Sequence, residues 1–450
     1  MKRNASPDET APKKPRTRRD VAERHQRNKE TSCSVVKSTL NKFCKGDCVA
    51  LRDPLNLIVK EVNRAVAEAY LLANLHVNRM IADSLPLTPL DQSFFYGCLS
   101  AVTQAARKKT EIKNADFRES VQLYKAWAAE SVNHIPPSSQ YLAFGFHQQA
   151  SLQMVTNARV AVSENFGRRF KRYLKHRHQL DGPAAWATLR SILAVDYEGD
   201  DPLVLSYRAQ LPNRPCFPGC GRMEDYPHLI LPLTHKFLRY FEEQQEHAAR
   251  AEQLPEKALR LYSLLPNKKG FECSHIKLCN NGLYGLLKRS ALDLQIPSEG
   301  PEWRAVAATF WRRCFNIEKF ETCNRKFAGE ILTDGHAVSI VMRKPKCKQQ
   351  TPKQPSLVRL EDYDEVMGLD PGRSDLFTTC NLTGEHQHYS TRRFYDEASY
   401  KASNRTIRGW IDRNAMAKRI HGGMLTHKTS HLEVLKQHIL FVLPVMDQMM

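Results

Sequence analysis

The stretch "VMGLDPGRSDLFTTCNLTGEHQHYS", residues 366–390, decides how the C-terminal part of this sequence is interpreted. Residues 366–370 predict a short strand with Val, Met and Leu on both faces, which is typical of a central strand. The strand ends on a carboxylate, Asp370, and then breaks at Pro371 and Gly372. An acid in this place indicates either a surface turn or a metal site at the end of a strand.

The residues after this break predict a hairpin and a helix. "DLFTTCNL" and "EHQHYST" alternate in polarity and predict two strands closed by a turn at Thr383-Gly384. Residues 395–420 predict a helix with Ile407, Trp410 and Ile411 facing inward. Three cations lie on another face of that helix: Lys401, Arg405 and Arg408.

A strand, a hairpin and a helix, with an acid at the tip of the first strand, form the usual start of a ribonuclease H-like domain. Such domains hold two Mg²⁺ ions about 4 Å apart, and carboxylates bind both ions while they clamp a phosphodiester. Asp370 is the candidate catalytic residue and Mg²⁺ ligand.

The charge of the chain favours a polyanionic partner. The 450 residues contain 67 Lys and Arg against 48 Asp and Glu, a formal charge of +19. The first 30 residues hold ten Lys and Arg and five Asp and Glu, so most of the excess lies elsewhere. Nucleic acid is the simplest partner for such a chain. The sequence contains no run of 18 apolar residues, so it predicts no membrane span. Its cysteines are scattered along the chain, which indicates reduced thiols.

Residues 1–32 predict a disordered basic tail because they contain almost no aliphatic residues. Within this tail "PKKPRTRR", residues 12–19, is a compact cluster of the kind that directs nuclear import. We therefore expect the protein in the nucleus. The cations of this candidate signal are Lys13, Lys14, Arg16, Arg18 and Arg19.

Residues 33–345 predict helices placed between strands. Residues 34–43 have the β-branched content of a strand, and 51–262 predict a series of helices. Segments 271–279 and 333–344 alternate as strands do, with a helix at 302–317 between them. If residues 34–43 join the same sheet, the helices are an insertion in a small β-domain spanning 33–50 and 263–345. A polar linker at 346–360 then separates a last domain, 361–450.

One predicted helix, residues 165–180, combines an apolar stripe with a basic one. Phe166, Phe170 and Leu174 recur every four residues and are expected to pack inward. Six Lys and Arg occur between 167 and 178 without an acid, which predicts phosphate contacts. The residues we select as nucleic-acid contacts here and elsewhere are Arg168, Arg169, Lys171, Arg172, Lys175, Lys268, Lys269, Arg373, Lys401, Arg405 and Arg408.

Three segments together resemble one family. "GLDPGRSDLFTT" resembles the first RuvC motif of the Fanzor proteins, eukaryotic relatives of the transposon-borne TnpB/OrfB nucleases, and "LLPNKKGFECSHIKL" and "TDGHAVSIVM" resemble further Fanzor segments. The resemblance runs from about residue 34 to the end. It implies a multidomain α+β protein in which a helical recognition lobe is inserted in a β wedge domain and is followed by a RuvC-like α/β domain. It also implies a guide RNA, a DNA target and Mg²⁺-dependent cleavage.

The sequence departs from this family at the nuclease site. The family uses three acids and a late four-cysteine zinc motif, whereas the sequence runs only 80 residues past Asp370. The RuvC-like domain is therefore expected to be incomplete, with only the first acid present. Glu433 is the closest substitute by distance, but it lies in a helical pattern. Zinc is not expected, since Cys44 with Cys48, Cys216 with Cys220, and Cys273 with Cys279 lack finger spacing.

Two main functions remain open. The chain is either an RNA-guided nuclease that is inactive alone, or a non-catalytic nucleic-acid binder derived from a transposon. A minor alternative is a single-strand nickase with a metal on His386 and His388 and a nucleophile at Tyr395 or Tyr400.

Overall fold

The computed structural model describes residues 31–103, 114–143, 145–194, 196–212, 226–250, 259–267, 273–290, 292–345, 363 and 365–449. These residues form a mixed α+β protein with two small sheets. Residues 33–344 together with 424–450 form one compact unit, and residues 345–423 belong to a second.

The described residues of the first unit contain a four-stranded sheet of β1 (Thr31–Thr39), β2 (Ile276–Leu278), β3 (Lys326–Thr333) and β4 (Ala337–Pro345). The strand order is β1-β4-β3-β2, so the first strand shares a sheet with the later ones, which is the condition that the sequence left open. β3 and β4 form an antiparallel hairpin around Gly335, whose φ of 96° favours glycine. The sequence predicted no strand at β3 and a longer one at β2.

The helices of the first unit lie mainly between β1 and β2 in the chain. They are α1 (Leu40–Phe43), α2 (Arg52–Ala82), α3 (Gln92–Val102), α4 (Ala115–Glu130), α5 (Phe146–Arg177), α6 (Gly182–Leu193), α7 (Pro202–Arg208), α8 (Leu231–Arg250), α9 (Asn280–Arg289), α10 (Pro301–Cys314), α14 (Leu432–Val442) and α15 (Met446–Met449). No helix of the described segments is long and apolar enough to span a bilayer.

α2 is the central helix of this unit. Most of its side chains are buried, and it packs against α3, α4, α5 and α14. Its buried Glu68 has two partners: the carboxylate accepts from the Tyr124 hydroxyl at 3.1 Å and lies 3.2 Å from His134 Nε2. The core runs without interruption from these helices to the sheet, so it joins the expected 33–50, 51–262 and 263–345 segments in one unit.

Residues 424–449 also pack in this unit, although the sequence placed them in a last domain of 361–450. Glu242 of α8 is buried and accepts from the Ser430 backbone N–H at 3.0 and 3.1 Å and from its hydroxyl. Ser131 directly follows α4, and its hydroxyl donates to the Leu440 carbonyl at 3.3 Å. Apolar residues of α14 complete the shared core, which explains the attachment.

The described residues of the second unit form a three-stranded antiparallel sheet and three helices. The predicted hairpin is confirmed, with Gly384 at a φ of 83° in its turn. The predicted helix of residues 395–420 is divided, because Ser399 takes a left-handed φ of 57° and the chain leaves helical geometry again at Asn414. The elements are β5 (Met367–Asp370), β6 (Asp375–Asn381), β7 (His386–Ser390), α11 (Thr391–Glu397), α12 (Tyr400–Arg413) and α13 (Ala415–Gly423).

Candidate functional site

Asp370 lies at the end of β5, with its side chain exposed. β5 pairs with β6 from Met367 opposite Asn381 to Asp370 opposite Thr378. The strand order β5-β6-β7 makes β5 an edge strand among the described residues, and Leu369 is 63% exposed. The expectation of a central strand is therefore wrong for this part of the chain. The apolar residues on both faces of β5 suggested a central strand, but side-chain polarity carries no information on strand pairing. No described strand pairs with the outer edge of β5.

The turn after Asp370 is fixed by backbone contacts. The Gly372 N–H donates to the Leu376 carbonyl at 3.3 Å, and a Cβ at Gly372 would lie 2.6 Å from the Asp375 carbonyl oxygen. The hydroxyl of Thr391 donates to the Arg373 carbonyl at 2.7 Å. Glycine is thus required by close backbone approach, and the exposed Arg373 side chain is presented from a turn tied to the start of α11.

The described residues hold no group of three or more His, Cys, Asp and Glu side chains suited to a metal ion. Asp370 makes no ion pair in this part of the chain. Glu433 is in the first turn of α14, which belongs to the other compact unit. Asp370 therefore belongs to no such group among the residues that the structure describes.

The two histidines of the alternative site are exposed on β7. His386 lies opposite Cys380, whose Sγ is 3.9 Å from His386 Nε2, and His388 lies opposite Thr378. The rings of Tyr395 and Tyr400 contact each other at a centroid distance of 4.9 Å. No third metal ligand joins the histidines in the described structure.

The paired cysteines divide between the core and the surface. Cys44 and Cys48 are buried free thiols, and burial raises the pKa of Cys44 to about 11. Cys273 and Cys279 are half-buried, and Cys216 and Cys220 lie outside the described residues.

α12 presents both a basic and an apolar face to solvent. Lys401 pairs with Asp396 at 2.7 Å, whereas Arg405 and Arg408 are exposed and in no ion pair among the described residues. The inward placement predicted for Ile407, Trp410 and Ile411 is wrong, because no residue of α12 is buried and Trp410 is 60% exposed. The period of the pattern is helical, but no described element covers that face.

This exposure extends through most of the second unit. No side chain between residues 365 and 419 is buried. Phe377 and Tyr389 stack at 5.5 Å across β6 and β7, and both still contact solvent. The sheet and its helices therefore have apolar surface that a packed domain of this kind would cover.

The basic stripe of α5 is divided by its surroundings. As predicted, Phe166, Phe170 and Leu174 are fully buried. Arg169 lies over the Tyr262 ring at 3.9 Å, and Arg172 lies over the Phe241 ring at 4.4 Å.

These two arginines are partly removed from water. Burial lowers the pKa of Arg169 to about 10 and also lowers the pKa of Arg172. Both arginines therefore pack against aromatic rings, whereas their role as phosphate contacts stays a prediction. The aromatic partners come from distant segments, so the helical pattern alone could not reveal them.

The other cations of this stripe remain accessible. Arg168 and Lys175 are exposed, and the Arg168 guanidinium donates to the side-chain oxygen of Asn165 within its own helix. Lys171 is half-buried and lies 5.4 Å from the Trp186 ring centre. Arg168 and Lys175 are thus the candidate phosphate contacts that α5 offers. Lys268, Lys269 and the cations of residues 12–19 lie outside the described residues.

Comparison with known proteins gives no family for this chain, because no protein-family model matches it and no curated protein matches it.

Proposed function

We propose that this protein binds RNA and DNA in the manner of the Fanzor and TnpB-type proteins that its motifs resemble. The observation that carries the proposal is the order of elements along the chain. β1 lies beside β4 in one sheet although α2 to α8 lie between them in sequence. This arrangement is the one expected for a helical recognition lobe inserted in a wedge domain.

The surface charge of the helices supports the same proposal. Arg168 and Lys175 are exposed on α5, and Arg405 and Arg408 are exposed on α12. Cations that are free of intramolecular ion pairs can neutralise phosphates and release counterions. A guide RNA and a DNA target are therefore the proposed partners, and the nucleus is the proposed location.

We further propose that Asp370 is the first acid of a RuvC-like site that needs more carboxylates before it can cut DNA. Each Mg²⁺ ion keeps octahedral oxygen coordination, so one carboxylate leaves most ligands to water and cannot position two ions. The outer edge of β5 supports this proposal, because no described strand pairs with it and a strand that carries a further acid could pair there.

The first test is binding. The purified chain is titrated with labelled structured RNA and with double-stranded DNA at several salt concentrations. We expect tight binding at low salt that weakens steeply as salt rises. Affinity that is independent of salt, or no binding to either nucleic acid, would overturn the proposed function.

The second test is cleavage with Mg²⁺ by the chain and by Asp370→Ala. We expect neither to cut DNA, while a chain extended by a segment with the missing acids cuts and loses activity on Asp370→Ala. The non-catalytic alternative predicts no activity from the extended chain. Robust cutting that survives Asp370→Ala and is lost in His386→Ala would favour the nickase alternative instead.

A further inference from the structure

A cavity of about 290 Å³ lies between α2, α5 and the segments 266–267 and 274–277. All of its walls are in the first unit. Its size is near the lower end of the range for ligand pockets, about 300–1,000 Å³, so it suits a single ring system. The apolar part of its wall comes from Val62, Val66 and Tyr70 of α2 and Phe146, Ala150 and Met154 of α5.

Two buried amides of α2 hold the outer wall of the cavity in place. Asn63 Nδ2 donates to the Ser274 carbonyl at 3.0 Å, and the Ser274 N–H donates to Asn63 Oδ1 at 2.8 Å. The Leu265 N–H donates to Asn74 Oδ1 at 3.1 Å. The segments on either side of the cavity mouth are therefore tied to a rigid helix, and the cavity is formed before any ligand arrives.

One edge of the cavity offers free amide groups. Gln149 and Gln153 are one turn apart on α5, line the cavity, and make no side-chain hydrogen bond within the described residues. Each amide can donate and accept. Burial raises the pKa of Tyr70 to about 12, so its hydroxyl stays protonated at neutral pH.

The ammonium and imidazole side chains at this wall already have acidic partners. Lys277 lies 2.6 Å from Glu330, and His275 lies 3.7 Å from Asp334. The cavity therefore suits a neutral, flat group with apolar faces and an edge that both donates and accepts hydrogen bonds. A nucleobase has this chemistry, and unpaired bases are recognised in this way by stacking and edge contacts.

We propose that the cavity takes up one unpaired base of the bound nucleic acid, with Gln149 and Gln153 on its edge. This inference rests on the proposed nucleic-acid binding. It adds a base-specific contact to the phosphate contacts of α5, which carry no sequence information.

The test uses short single-stranded RNA and DNA oligonucleotides that carry 2-aminopurine at each position in turn. The fluorescence of this base reports loss of stacking with its neighbours. The full chain should change the fluorescence at one position, and Gln149→Ala with Gln153→Ala should remove that change and weaken binding about tenfold. A response with only one type of strand assigns the base to RNA or to DNA.

Gln148→Ala is the matched control, because Gln148 is exposed on the same helix but does not line this cavity. It should behave as the wild type. Thermal unfolding of each variant excludes loss of structure as the cause. The inference is overturned if strands bind with no response at any position, or if the double variant keeps the response. If no strand binds at all, the proposed function fails and this inference fails with it.

Discussion

Four cations of α5 form two pairs, and substitution of one pair should change nucleic-acid binding whereas substitution of the other should change stability. Arg168 and Lys175 are exposed, whereas Arg169 and Arg172 lie over the rings of Tyr262 and Phe241. We compare the variant Arg168→Ala/Lys175→Ala with Arg169→Ala/Arg172→Ala. Both remove two positive charges from one helix, so net charge alone predicts the same result for each.

The exposed pair should affect binding alone. Each phosphate contact with a single strand contributes about 0.7 to the slope of log affinity against log salt. The loss of two contacts should therefore reduce this slope by about 1.4. Exposed positions change the free energy of unfolding by only about 0.5 kcal/mol, so the thermal midpoint should stay close to the wild type.

The packed pair should affect stability instead. A cation over an aromatic ring contributes about 0.5–2 kcal/mol, so removing both contacts should cost about 1–4 kcal/mol in the free energy of unfolding. The salt slope of the folded variant should remain unchanged.

Salt titrations of RNA binding and urea unfolding measure the two quantities on the same preparations. Equal losses of slope in the two variants would refute the assignment of Arg169 and Arg172 to packing. An unchanged slope in Arg168→Ala/Lys175→Ala would refute the phosphate contacts.

Four further changes test other parts of the structure. Gly372→Ala should increase proteolytic cleavage of the β5–β6 turn, because the added Cβ would lie 2.6 Å from a backbone carbonyl oxygen. Gly409→Ala is the control and should not increase cleavage, because a Cβ there meets open space on α12. Equal cleavage of the two variants would contradict this prediction. Burial raises the pKa of Glu68, so the contribution of this group to stability is full at low pH and is lost as the pH rises through that pKa. The free energy of unfolding of Glu68→Gln, measured in urea, should therefore rise relative to that of the wild type as the pH rises. A difference between the two proteins that does not change with pH would argue against this reasoning. Glu242→Ala should lower the free energy of unfolding by about 1–3 kcal/mol and speed amide hydrogen exchange in α14, because Ser430 loses its buried acceptor. Unchanged exchange would argue that this contact does not hold α14 in place. Deleting residues 12–19 should move a tagged protein out of the nucleus, and a protein that stays there would remove the import signal.

Local periodicity correctly predicted those elements whose packing needs only apolar residues at the right spacing and no particular partner. The inward face of α5 follows directly from Phe166, Phe170 and Leu174, since any core accepts apolar residues at that spacing. The sheet containing β1 could be anticipated because a β-branched segment before a long helical region needs a partner elsewhere.

The failures concern contacts between distant segments. The guanidinium of Arg172 lies over the ring of Phe241 of α8, a contact that the helical pattern did not predict. The face of α12 was predicted to be inward from its apolar residues, although the described elements bury none of them. The cavity of the first unit depends on Asn63 and Asn74, which look like ordinary polar positions of a long helix in the sequence. Sequence spacing carries no information on such pairings.

The pairing of β1 with β4 has a consequence for synthesis and refolding. The two strands are separated by on the order of 300 residues, which makes their contact one of high sequence separation. On the ribosome, β1 emerges long before its partner, while α2 to α8 can already pack locally. Until β4 is made, β1 is an unpaired strand that can associate with other chains. We therefore expect closure of this sheet to be the late and slow step of folding, and expression at low temperature or with chaperones to improve the soluble yield.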